Sequence, residues 1–220
     1  MYDVERITIE VASAIACFIL VRFMIKPFRL TGETRYLGLP AGFSFLGVSY
    51  AFSAFSYSPL FDFNNKGWVQ LFLRAFAFLF LMVTYYFSKS KKKSKLLWDA
   101  AFGTFAAIFT ILILLVIVSP KFTFSYYRLT QICVRFFSLM CLSYISIYAL
   151  KSHIKQLDPT TLLAPFGYIF LGIGQYSALI WAVDISHFAL FGALALRLIG
   201  LALLLFVSFR TFYSSERRNR

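Results

Sequence analysis

Charge-free runs of about twenty residues recur along this chain, each closed off by a short polar cluster. Seven are present, at about 6–26, 36–58, 67–88, 96–118, 125–150, 161–183 and 188–212. About 20 apolar residues in a helix cross a hydrocarbon core of roughly 30 Å. The pattern therefore predicts an all-α integral membrane protein with seven transmembrane helices, a single multi-pass domain over 1–220 with a basic tail at 213–220. The first run resembles a secretory signal in position. Asp3 and Glu5 precede it, however, Arg22 interrupts it and no small-residue cleavage site follows, so it reads as a retained span.

Composition agrees with the pattern. Sixty per cent of residues are hydrophobic and 14% are charged, with a mean hydropathy of +0.75. A soluble domain is roughly 45–50% apolar and about 25% charged, and a chain this short has too little interior to hide the excess.

The basic residues fall unevenly between the two ends of the spans. With the N-terminus outside, the inner segments hold Lys26, Arg29, Arg35, the five lysines Lys89, Lys91, Lys92, Lys93 and Lys95, then Lys151, Lys155, Arg210, Arg217, Arg218 and Arg220. The outer segments hold Arg6, Lys66, Lys121 and Arg128. Fourteen against four selects N-terminus out and C-terminus in at the cell membrane. The net charge of +13 thus belongs to cytoplasmic rims that set topology and meet anionic headgroups. The lysine run at 89–95 is a solvated topology determinant or a docking patch for acidic lipid or a partner. No aromatic residue interleaves it, so nucleic acid is not an expected partner.

Two stretches repeat. PAGFSFLGVSY at 40–50 and PFGYIFLGIGQ at 165–175 align with Pro40 on Pro165, Gly42 on Gly167 and Gly47 on Gly172, a shift of 125. Lys26 and Lys151 align at the same shift, and Arg74 and Arg197 at 123. The chain therefore reads as a parallel 3+1+3 internal repeat: copy A over about 6–88, a linking helix over about 96–118 and copy B over about 125–212. Both prolines fall in a first helical turn, where no intrahelical bond is lost. The four glycines are expected to let neighbouring helices approach closely.

Arg74, Arg135 and Arg197 lie seven to ten residues inside the outer ends of the third, fifth and seventh spans. That is about 10–15 Å deep at 1.5 Å per residue. A cation at such depth costs at least about 2.5–3.5 kcal/mol unless paired or wetted, so it faces the bundle interior. Candidate partners are Glu10, Asp184, Gln70, Gln131, Gln175, Tyr50 and Tyr176. Either these groups, carbonyls and water compensate the charge, or the arginines receive an anionic ligand, because guanidinium forks match carboxylate and phosphate. The candidate ligand site is Arg74, Arg135, Arg197, Glu10, Gln175, Tyr50 and Tyr176. Asp99 is expected to complement the start of the fourth span or the adjacent lysines.

Other chemistry finds little support. His153 and His187 fall in loops on opposite sides, and Cys17, Cys133 and Cys141 have no Cys-x-x-Cys spacing, so no metal and no cofactor is expected. No hydrolase or phosphate-loop motif is present and no enzyme is expected. The topology is similar to that of the microbial rhodopsins, but no lysine for a Schiff base lies between Lys155 and the end of the chain. It also resembles the small 3+1+3 sugar transporters and the seven-helix segments that precede some histidine kinases, without any of their distinguishing motifs. Three classes stay open: a receptor-like module that binds a small anionic ligand and couples to a separate partner, a solute carrier with pseudo-symmetric halves, and an accessory subunit or oligomer within a larger membrane complex.

Overall fold

A computed structural model describes residues 2–57, 65–87, 94–118, 124–156, 162–184 and 186–218. Among them every regular element is helical: α1 (Tyr2–Met24), α2 (Lys26–Thr31), a 3-10 turn (Thr34–Leu37), α3 (Gly38–Ser56), α4 (Lys66–Phe87), α5 (Ser94–Val118), α6 (Phe124–Gln156), α7 (Leu163–Asp184) and α8 (His187–Arg218). Seven helices are long and apolar enough to cross a membrane, the first running through α1 and α2. The chain is a polytopic membrane protein. Lys89, Lys91, Lys92 and Lys93 lie outside the described residues, and for Lys95 only the backbone, in the first turn of α5, is described.

Several boundaries differ from expectation. α6 continues to Gln156 and α8 to Arg218, so His153 lies within a helix and the basic tail largely prolongs α8. His187 begins α8 rather than occupying a loop. The segment after α1 folds into α2, which stops where Gly32 adopts φ +68, a left-handed conformation that costs glycine nothing.

Six helices form a closed ring in which α1 packs on α3, α3 on α4, α4 on α6, α6 on α7, α7 on α8 and α8 on α1. α5 lies outside the ring against α4, with Phe109 meeting Phe45 and Phe76, and Phe102 meeting Phe80. Its ends are pinned by polar contacts. The Trp98 indole donates to the Thr34 carbonyl (3.0 Å), Thr34 donates to Asp99 (2.8 Å), and the Asn65 amide donates to the Val116 carbonyl (2.8 Å). Asp99 therefore anchors the turn before α3, a specific contact that sequence alone did not indicate.

The ring is filled by apolar side chains from all six helices, including Leu20, Phe43, Leu46, Phe78, Leu81, Leu142, Ile145, Tyr168, Leu171 and Leu201. Lipid is as apolar as these groups, so their hold comes from dispersion at close approach. Two crossings supply it. A Cβ added at Gly42 would lie 2.7 Å from Leu81 Cδ2 and 3.1 Å from the Ala77 carbonyl oxygen. One added at Gly167 would lie 2.7 Å from Leu204 Cγ and 3.1 Å from the Gly200 carbonyl oxygen. Gly47 takes Phe18 and Cys17 at 3.1–3.2 Å. Gly172 differs from expectation, since its nearest neighbour would be Leu142 Cβ at 3.9 Å, an ordinary contact. Pro40 and Pro165 are buried in the first turns of α3 and α7.

Candidate anion site

Above the apolar fill, at the end of the bundle that carries the start of α1, the ring opens around a cavity of about 160 Å³. That is well above the roughly 10–15 Å³ a cavity needs to hold a single water. All six ring helices line it and α5 does not. The walls carry four guanidinium groups, Arg6, Arg74, Arg135 and Arg197, and one carboxylate, Glu10.

Glu10 is 3% exposed and Arg197 is 6% exposed. The Arg197 guanidinium donates to Glu10 Oε1 at 3.3 Å, and its second terminal nitrogen lies 3.1 Å from Oε2. Arg74 approaches the same carboxylate at 3.7 Å and gives its Nε–H to the Ser49 hydroxyl at 3.1 Å. The fully buried Tyr50 ring lies beneath both cations, with the Arg197 and Arg74 guanidinium carbons 4.2 and 5.3 Å from its centroid. Delocalised guanidinium is weakly hydrated and packs on ring faces, which explains how two of them sit together on one tyrosine.

Arg6, one turn before Glu10 on α1, and Arg135 of α6 share a second set of aromatic contacts. Arg6 stacks on Tyr57 at 4.2 Å, and the two arginines reach the Trp181 ring at 5.6 and 5.8 Å. Among the described residues neither has a carboxylate within ion-pair distance. Arg6 Nε, Arg135 Nε, Arg74 Nη2, Ser53 Oγ and the Tyr50 hydroxyl are all buried without a hydrogen-bond partner. Buried polar atoms of this kind are rare in native proteins, and each marks a place for water or a ligand atom.

Of the residues expected from sequence, Arg74, Arg135, Arg197, Glu10 and Gln175 line the cavity, as do Gln70 and Gln131. Tyr50 supports it from below. Tyr176 is not brought to it. That side chain is 53% exposed and edges an apolar groove of about 460 Å³ between α6 and α7, on the outside of the ring. Asp184 is exposed at the end of α7 and takes no part in the walls. Sequence reading also missed Arg6, Tyr57, Tyr127 and Trp181. Arg6 was legible, because it lies four residues before Glu10 and so on the same helical face.

The described walls provide a preorganised patch of donors with three positive charges in excess of their carboxylate. A small anion is the complement of such a surface. No protein-family model, no curated protein and no solved structure matches the chain.

Proposed function

We propose that this protein is a receptor-like seven-helix module of the cell membrane, which takes a small anionic ligand from outside and couples to a separate partner within. The observation that carries the reading is the convergence of Arg6, Arg74, Arg135 and Arg197 on one cavity in which, among the described residues, Glu10 alone supplies a carboxylate. The bias of fourteen basic residues against four supports an external N-terminus. That orientation opens the cavity to the outside. It also turns the lysines at 89–95 toward anionic headgroups or a cytoplasmic partner.

Two copies of a three-helix unit are supported by packing as well as by sequence. Gly42 rests on Leu81 and Gly167 on Leu204, at the same position of the α3–α4 and α7–α8 crossings. Ser13 back-bonds to the Ile9 carbonyl at 2.7 Å and Ser138 to that of Val134 at 2.8 Å, 125 residues apart in both cases. The cavity then sits between the halves. The same geometry favours a second reading, a solute carrier, because parallel repeats place transported solutes at their interface.

Thermal unfolding of the purified full chain in detergent tests the reading. Succinate, citrate or inorganic phosphate at constant ionic strength should raise the midpoint, and saturation at 100 Kd corresponds to about 2.7 kcal/mol. If all three leave the midpoint where chloride does, the anion site does not exist. Counterflow of the active anion in proteoliposomes would move the assignment from receptor to carrier.

A further inference from the structure

Under the duplication just described, α1 corresponds to α6, α3 to α7 and α4 to α8. The position of Glu10 then falls, at the shift of 125, on Arg135. Glu10 reaches across the interface between halves to Arg197, where α1 packs on α8. The equivalent crossing is α6 on α4, and there the equivalent residues are Arg135 and Arg74. One crossing joins a carboxylate to a guanidinium. Its counterpart presents two guanidiniums to the same cavity.

On that second crossing Arg135 Nε is buried with no hydrogen-bond acceptor, and Arg74 Nη2 lies 3.7 Å from Glu10, beyond hydrogen-bond reach. Ser53 and Arg6 add further buried polar atoms without a hydrogen-bond partner to the same cavity. Where copy A supplies its own anion, copy B supplies none.

Resting on the anion-binding reading above, we infer that the ligand's acidic group docks between Arg135 and Arg74, in the place that Glu10 fills at the opposite crossing. Glu10 is thus a built-in stand-in for half of a symmetric pair, and the ligand completes the other half. Its acidic group is a carboxylate or a phosphate, since both accept the forked donor geometry of arginine. Its remainder lies among Tyr127, Gln131, Gln175 and Trp181, which line the same wall.

The test is a charge reversal that most buried arginines would not tolerate. Arg135→Glu places a carboxylate opposite Arg74 and reproduces within the chain what the ligand does from outside. The variant should unfold at a higher temperature than the ligand-free wild type, and the shift caused by succinate or inorganic phosphate should fall at least tenfold in sensitivity. Arg135→Gln serves as the milder arm and should also lose at least tenfold in anion affinity while remaining folded. An Arg135→Glu protein that melts below wild type overturns the inference, as does an Arg135→Gln protein that binds anions within twofold of wild type. If wild type responds to no anion at all, the functional reading above is what fails. If wild type and Arg135→Gln respond alike, that reading stands and only the placement of the acidic group falls. Comparing succinate with phosphate in the wild type separates a carboxylate ligand from a phosphate one.

Discussion

Along α1 the residues Ser13, Cys17 and Leu20 are buried, and along α6 Ser138, Leu142 and Ile145 are buried in the same spacing. About one turn closer to the cavity mouth, α1 presents Glu10 and α6 presents Arg135. Cysteine exchanges for leucine at the deep position with no change in the packing scheme, because any apolar group of fitting volume serves there. The charged position is different. Its sign decides whether the helix offers the cavity a carboxylate or a further guanidinium.

The largest effect should come from removing the one carboxylate. Glu10→Ala leaves Arg197 and Arg74 facing each other over Tyr50 with no counter-charge, and breaking a buried pair in this way costs about 3–5 kcal/mol. Arg135→Ala removes a cation that has no carboxylate partner among the described residues and should cost far less. Reversible unfolding in mixed micelles measures both. Equal losses would erase the distinction between the two helices.

A middle-sized effect separates the glycines. Gly42→Ala and Gly167→Ala each drive a methyl group to 2.7 Å from a leucine side chain and to 3.1 Å from a backbone carbonyl oxygen on the facing helix. Overpacking of this kind costs about 1–3 kcal/mol. Gly172→Ala meets only Leu142 at 3.9 Å and should stay within about 0.5 kcal/mol of wild type. A Gly172→Ala loss as large as the other two would show that the α6–α7 face is tighter than its open groove.

The same glycines show how far the sequence could be read. The seven spans were legible because charge-free runs of membrane length have few other uses, and counting residues along them put Arg74, Arg135 and Arg197 at a similar distance from their helix ends, where all three line one cavity. What the count could not supply was the facing direction of each side chain. Gln175 looks into the cavity and Tyr176 away from it, since neighbours in a helix stand about 100° apart. Gly172 was chosen by its repeat, whereas Gly174 faces α8, a Cβ there lying 3.2 Å from the Ala193 carbonyl oxygen. Arg6 was taken as one of the outer topology charges, although its spacing from Glu10 already put it on the cavity face. The ends of α6 and α8 ran past expectation for another reason. A helix leaving the bilayer keeps its backbone bonds while its side chains turn polar, so hydropathy loses it before the structure does.

The smallest effect tests the comparison on the outer surface of the ring. Phe18 of α1 lies over Gly47, and the residue 125 positions later is Ser143, in the groove over Gly172. On the α1–α3 face a phenyl ring fills the space between neighbouring helices; on the α6–α7 face a hydroxymethyl group leaves it open among Leu139, Ile147, Ile173 and Tyr176. If the two faces share one backbone geometry, Ser143→Phe should enter that groove without moving a helix. Its dispersion contacts would replace those with lipid tails of similar polarity, so the net change should be neutral to stabilising by less than about 1 kcal/mol. Thermal unfolding in detergent gives the sign directly. A loss above that size means the α6–α7 face has its own geometry, and the correspondence between the halves then ends inside the ring.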